Sequence, residues 1–257
     1  MKILLSNDDG YLATGIQTLF SHLKSVGHHV TMVAPHGQRS AQSHSMSFYR
    51  PIQVVKIADD IFSADGTPAD CIAVALSHIL KKSPPDIVIS GINHGLNVGI
   101  DVNYSGTVGA ATEAALIGYK AIAVSMDNVG VPNTDLEALF LKTSQIVAQI
   151  LNQTDKIQWP KLEILNINVP LEAKSIAVAN CGGESLYVPH IEELVSRAQD
   201  DTKVYLIGGV ARNAPNDMSQ DVSLVSKHCA TLSFIAAKQS STQSNKNLQK
   251  IIEHITV

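Results

Sequence analysis

The chain has 257 residues, 45% of them hydrophobic and 16% charged, with 19 Lys and Arg against 23 Asp and Glu for a net charge of −4. This balance excludes a disordered chain, supplies no apolar run long enough for a membrane span, and offers no general attraction for DNA or RNA, so any phosphate must be met locally. Cys71, Cys181 and Cys229 are too few and too scattered for a disulfide framework or a zinc motif, and the opening MKILLSNDDG is too short in apolar residues for a signal peptide. A cytoplasmic location, without a membrane or nucleic-acid partner, is expected.

Lys2 to Ser6 reads as a short apolar strand stopped by the turn formers Asn7, Asp8, Asp9 and Gly10. Ile16, Leu19, Phe20, Leu23 and Val26 then fall at helical spacing, with Gly27 in the position of a helix C-terminal glycine. His29 to Ala34 is a second strand, and strand, helix and strand together predict a parallel βαβ unit. Further along, Thr67 caps a helix with Pro68 at its first position and Asp70 three residues on, and its apolar stripe reaches Ile79.

Asp86 to Ser90 is the next strand, followed by a polar, glycine-bearing loop over 91–105, a helix from Thr107 to Gly118 and a buried strand from Ala121 to Ser125. Thr134 and Glu137 form a capping-box pattern for a helix to about Leu151. Beyond Glu163 the pattern changes to strands and turns (LEILNINVP, SIAVAN, KVYLIGGV, ATLSFIAA), with a terminal helix from about Leu248 to Ile255. The fold expected is a doubly wound, mostly parallel, Rossmann-like α/β core over residues 1–160 with a β-rich extension over 161–257.

In such a sheet, ligands bind beyond the carboxyl ends of the strands. Three polar loops lie there: Asn7 to Gly10, His36 to Ser47, and Gly91 to Ser105. The adjacent carboxylates of Asp8 and Asp9 share one site only at a cost unless a cation separates their charges; by composition alone a turn with Gly10 is the stronger reading. His36 and His44 lack paired zinc spacing and read as solvated. In the third loop Asn93, Asn97 and Asn103 lead to Ser105-Gly106-Thr107 at a helix start, where unpaired N–H groups favour a phosphate, although Ser105 is also a natural helix cap.

No G-x-x-x-x-G-K-[ST] occurs, and N-D-D-G-Y stands where a dinucleotide fold shows G-x-G-x-x-G, which disfavours a dehydrogenase. The blocks LLSNDDGYLATGIQTL from Leu4, VAPHGQRSAQS from Val33, GTPADC from Gly66 and PDIVISGINHGLNVGIDVNYSGTVGAATEAA from Pro85 closely resemble the SurE (survival protein E) family of metal-dependent nucleotide phosphatases. The resemblance implies that Asp8, Asp9, Ser40 and Asn93 hold one divalent metal per subunit. It likewise implies that Asn97, Ser105, Gly106 and Thr107 line the phosphate pocket, with Asp8, Asp9 and Asn97 catalytic. An all-oxygen set favours Mg²⁺ or Mn²⁺ over zinc. His36 and Ala41 depart from the family pattern, which has an acid and a glycine there, and alanine tolerates fewer backbone conformations.

The activity implied is a 5′/3′-nucleotidase hydrolysing nucleoside monophosphates, with a short-chain polyphosphate side activity. On that reading the metal would polarise the phosphoryl oxygens and lower the pKa of the attacking water, while Asn97, Ser105 and Thr107 would hold the transferring group. A nucleotide-binding regulatory protein without turnover is the competing reading. The family also implies a C-terminal arm exchanged between subunits of a homodimer or homotetramer, for which NDMSQDVSLVSKHCATLSFI is the counterpart.

Overall fold

The structure is a computed structural model describing residues 1–194, 203–211 and 215–237; the expected helix over 248–255 lies outside the described residues. β1 (Lys2–Ser6) is buried from Ile3 onward, and its alternation divides the core, with Ile3 and Leu5 facing one apolar cluster and Leu4 the other. α1 (Thr14–Ser25) leads through Gly27, at φ +91°, into β2 (His29–Pro35), which pairs parallel with β1.

β3 (Val54–Ala58) and β4 (Ile61–Ala64) follow as an antiparallel hairpin absent from the expected elements, and β4 adds to β2 in parallel. α2 (Pro68–Val74) forms with its capping box complete. Asp70 N–H donates to Thr67 Oγ1 at 3.1 Å and Thr67 N–H to Asp70 Oδ2 at 2.9 Å, and a π turn extends the helix to Ile79. β5 (Ile87–His94) runs past the expected end at Ser90. A 3₁₀ turn over Gly99–Tyr104 then leads to α3 (Gly106–Ile117) and β6 (Ala121–Met126).

α4 (Asn133–Leu151) corrects the expected cap. Pro132 occupies the N-cap position with no side-chain cap bond, and Thr134 Oγ1 donates instead to Asp135. A proline fits here because the first helical N–H groups have no partner within the helix anyway. The later elements are β7 (Glu163–Val169), β8 (Ser175–Val178), β9 (Tyr187–Leu194), β10 (Val204–Ala211), α5 (Asp221–Val225) and β11 (Cys229–Ala236).

The large sheet has the order β3-β4-β2-β1-β5-β6-β7-β11-β8, parallel from β4 to β7, while β9 and β10 form a separate antiparallel ribbon. α1 and α4 cover one face, with Leu19, Leu23, Phe140 and Val147 buried; α2 and α3 cover the other with Ile72, Ala110, Ala111 and Ala114. This is the expected doubly wound α/β sheet with added C-terminal β-structure. No helix among the described residues is long and apolar enough to cross a membrane.

The chain builds outward from β1 to β2 and β4, then crosses back to β5 on the other side of β1. That reversal opens a crevice between the carboxyl ends of β1 and β5. α1 seats under the crevice through Gly15, where a Cβ would collide with the Ile92 carbonyl oxygen, one residue before Asn93. Gly15→Ala is therefore expected to lower stability by about 1–3 kcal/mol in urea denaturation, the usual cost of overpacking. Gly37→Ala, with open space at its Cβ, is expected to stay within about 0.5 kcal/mol; equal midpoints for the two variants would refute the close-approach argument.

Candidate metal and phosphate site

The turn after β1 is self-braced. Asn7 Nδ2 donates to Gly10 O at 2.9 Å and Gly10 N–H donates to Asn7 Oδ1 at 3.2 Å, while Gly10 sits at φ +99°. The turn and site readings of Asp8-Asp9 are thus compatible: it is a turn, and it carries the two carboxylates into the crevice. Asp8 is only 4% exposed. Burial, then repulsion from Asp9, pushes its carboxyl up from 3.8 to about 6, opposed by the hydroxyl of Thr107. Asp9 is pushed up to about 6 by burial, opposed by the His94 N–H that it accepts at 3.2 Å.

Thr107 Oγ1 donates to Asp8 Oδ1 at 2.5 Å, and Gly106 lies so close that a Cβ there would stand 2.9 Å from Asp8 Oδ2. Gly106 is thus required by the approach of Asp8 to the first turn of α3. Ser105 caps that helix, its Oγ accepting Val108 N–H at 3.1 Å. The geometry shows the cap, with the Ser105 hydroxyl engaged by the helix.

Backbone contacts knit the second loop to the other two. Tyr11 N–H donates to Pro35 O at 2.9 Å and Arg39 N–H to Asp8 O at 2.6 Å; Ser43 N–H donates to Tyr104 O at 3.0 Å and Ser43 Oγ to Asn103 O at 2.7 Å. Ser40 is exposed on this loop, its Oγ accepting Gln38 Nε2 at 3.0 Å. Ala41 stands at φ +58° and Ser43 at +54°, the left-handed region favoured by glycine. The departure at Ala41 therefore does fall on a strained position, and the loop holds its shape through the bonds to Tyr104 and Asn103.

Asn93 is half-buried at the end of β5, its Nδ2 donating to Gly95 O at 2.8 Å, and its amide oxygen has no partner among the described residues. Asn97 is buried in a polar cluster: its Nδ2 donates to Ser125 Oγ at 2.8 Å and its N–H to Asn168 Oδ1 at 2.8 Å. Its carbonyl accepts Asn166 Nδ2 at 2.8 Å and Asn168 Nδ2 at 2.9 Å. Ser125, Asn166 and Asn168 were missed in the sequence, although asparagines two apart in the otherwise apolar β7 were a signal: alternation puts both on one face. Buried Asp221 of α5 likewise holds the loop by accepting Gly99 N–H at 3.1 Å.

His36 is exposed, as expected, with Nδ1 3.3 Å from Ser63 Oγ. His44 corrects the solvated reading, since its Nε2 lies 2.7 Å from Glu113 Oε2 of α3 in a half-buried pair. Asn103 is exposed and donates to Ile100 O, as a turn residue does. Asp8, Asp9, Asn93, Gly106 and Thr107 thus gather at the strand-order reversal, with Ser40 on the adjoining loop, while Asn97 is held apart from them in the polar cluster with Ser125, Asn166 and Asn168.

The profile described as "Survival protein SurE" matches residues 3–187, more than half of the chain. The chain belongs to the SurE family. It is 36% identical to a "5′-nucleotidase SurE" of Campylobacter curvus over 97% of this chain and 98% of the relative. It is 42% identical to a "5′/3′-nucleotidase SurE" of Proteus mirabilis over 71% and 70%. The crystal structure of the SurE protein from Aquifex aeolicus superposes with a TM-score of 0.83 at 29% identity, covering 98% of this chain and 99% of that one. The loops carrying the two carboxylates, Ser40, Asn93 and the α3 start all lie within the SurE match.

Because both carboxyls are raised, the metal-free folded chain holds more protons than the unfolded one between about pH 4 and 6. Their contribution is absent below pH 4 and becomes a penalty as pH rises to 6 and above. Asp9→Asn is expected to be more stable than the parent in EDTA by about 1–3 kcal/mol at pH 7 and by little at pH 4. Thermal melts at both pH values test this; an advantage independent of pH would contradict the electrostatic cause.

Proposed function

We propose that the chain hydrolyses nucleoside monophosphates as a metal-dependent 5′/3′-nucleotidase, with one Mg²⁺ or Mn²⁺ held by Asp8, Asp9, Ser40 and Asn93. The reading is carried by two adjacent, desolvated carboxylates at the strand-order reversal, Asp8 set against the first turn of α3 and Asp9 against the end of β5. The curated relatives named as 5′-nucleotidases support it. Neither carboxylate has an ion-pair partner among the described residues, and a hard divalent cation supplies the positive charge that burial withholds. Among the described residues no three His, Cys, Asp or Glu side chains converge, so two carboxylates completed by neutral oxygens favour Mg²⁺ or Mn²⁺ over softer ions.

A bound divalent cation supplies Lewis-acid polarisation of the phosphoryl oxygens and a lowered pKa for water. The chain's own residues do the rest. Thr107 fixes one oxygen of Asp8, and the His94 N–H fixes one oxygen of Asp9. The first turn of α3 presents backbone N–H groups toward the crevice, and Ser105 and Thr107 keep that turn in place. The Ser125–Asn168–Asn97 cluster holds Asn97 rigid beneath the transferring group. Short-chain polyphosphates would use the same seat.

Asp8→Asn is expected to reduce phosphate release from nucleoside monophosphates by roughly 10²–10³-fold or more. A panel of phosphomonoesters with Mg²⁺, Mn²⁺, Zn²⁺ and EDTA tests metal and substrate class together. Near-normal turnover of the variant in excess Mg²⁺ or Mn²⁺ would defeat the proposal, and nucleotide binding with no phosphate released would favour a regulatory role.

The same reading makes residues 1–160 the catalytic core and 161–257 an assembly region. Its cytoplasmic placement is consistent with three unpaired cysteines. The β9–β10 ribbon exposes Ile191 and Ile207 directly opposite each other, 63% and 73% accessible, and a second copy in a homodimer or homotetramer would cover them. Replacing both by serine is expected to lower the oligomeric mass in light scattering; an unchanged mass would place the interface elsewhere.

A further inference from the structure

Behind the metal loop lies a cleft of about 450 Å³ that the reading above leaves unused. His36, Gly37 and Arg39 form one wall, and Gln53, Val55 and Asp65 around the β3–β4 hairpin form the other. The first wall belongs to the candidate site. Arg39 N–H donates to Asp8 O at 2.6 Å, and a Cβ on Gly10 would meet Gly37 Cα at 3.0 Å. A ligand anchored by its phosphate at Asp8 and Asp9 therefore has this cleft within reach of its other end.

The lining suits a flat, polar-edged ring. The His36 imidazole is exposed, steadied by Ser63 and lying 6.0 Å from the ring of Tyr11. The Arg39 guanidinium is half-buried, with Nη2 held by Asp65 Oδ1 at 3.1 Å and Nε buried without a partner. Asp65 also accepts Arg50 Nη2 at 3.0 Å, so its charge is compensated while its oxygens remain half-exposed. Gln53, exposed beside the edge strand β3, adds an amide that both donates and accepts. A volume of 450 Å³ lies within the ordinary range for small-molecule sites, and a guanidinium or imidazole plane is a stacking partner for any base.

We propose that this cleft is the subsite for the nucleoside half of the substrate, an inference that rests on the nucleotidase reading. The heterocycle lies against the planes of His36 and Arg39, with its polar edge toward Gln53 and Asp65. His36 is then a specificity-determining residue of this chain, and the hairpin that carries the second wall sets which nucleosides fit.

The test separates the cleft from the phosphate chemistry. Val55→Trp fills the cleft from an exposed position, and His36→Ala removes one plane; circular-dichroism melts establish that each folds. With AMP and GMP both variants are expected to raise KM tenfold or more while kcat changes less than threefold. With phenyl phosphate, which has no nucleoside, kcat/KM is expected to stay within twofold. An unchanged KM for the nucleotides, or equal losses on both substrate types, would overturn the subsite. If the parent protein releases phosphate from no monoester, the nucleotidase reading fails separately. Titration of ¹⁵N-labelled protein with adenosine and guanosine then decides the cleft. Shifts confined to its lining and lost in Val55→Trp sustain it; no shift overturns it.

Discussion

Two neighbouring carboxylates placed out of water are the constraint around which the loops at this end of the sheet are arranged. Burial raises both groups, and Asp8 also carries the field of Asp9, so every polar contact near them offsets part of that cost. Thr107 gives Asp8 both its hydroxyl and its backbone N–H, and His94 gives Asp9 a backbone N–H. Gly106 follows from this arrangement, because any side chain there would push the helix off Asp8. The buried small-residue face of α3, with Ala110, Ala111 and Ala114, keeps the helix low on the sheet so that its first turn arrives at the crevice, while Gly109 leaves room for the Ser43 carbonyl of the second loop.

Position here is held mainly by backbone. The first and second loops meet through Tyr11 to Pro35 and Arg39 to Asp8, and the second and third through Ser43 to Tyr104. Main-chain bonds keep a loop in place whatever side chains it bears, which is how an alanine can occupy the left-handed backbone at position 41. The third loop is tied down by residues remote in sequence: Asn166 and Asn168 of β7 clamp Asn97, and Asp221 clamps Gly99. The C-terminal third of the chain therefore takes part in shaping the site as well as extending the sheet.

The parts of the fold legible in the sequence were those where one signal dominates. β1, β5 and β6 are continuous apolar runs because both of their faces are covered, and α1 and α2 carry apolar stripes with a glycine stop or a capping box. β3 escaped because VVKIA is an edge strand, mostly exposed, whose pattern reflects one thin contact. β9 escaped because YVPHIEEL carries a proline and two acids, and its partner strand lies well downstream. The cap of α4 was misplaced because Thr134 and Glu137 match the box by composition while Pro132 sets the actual start. At the site, Asp8 and Asp9 were legible as polar turn residues at a strand end, and Thr107 as part of a polar helix start. The Asn97 clamp was not, because it is a long-range pairing between β6, β7 and a loop that no local window contains.

Seating a phosphate at this crevice is constrained by bonds the chain already makes. The side chains assigned to that task already have partners within the chain: Ser105 Oγ accepts Val108 N–H, Thr107 Oγ1 donates to Asp8, and Asn97 Nδ2 donates to Ser125. The positive end of α3 also has an anion against it, namely the carboxylate of Asp8. A phosphate brought to the same helix end meets like charge unless a cation stands between them. Under the nucleotidase reading the helix start and the metal are therefore one device. The helix start faces the buried Asp8, and on that reading Asp8 and Asp9 would hold a divalent cation whose charge would let an anionic substrate approach two carboxylates. Within the chain the hydroxyls of this loop are already spent on Asp8 and on the helix turn, so a phosphate held here would depend on backbone donors and on the cation of that reading rather than on free side-chain hydroxyls.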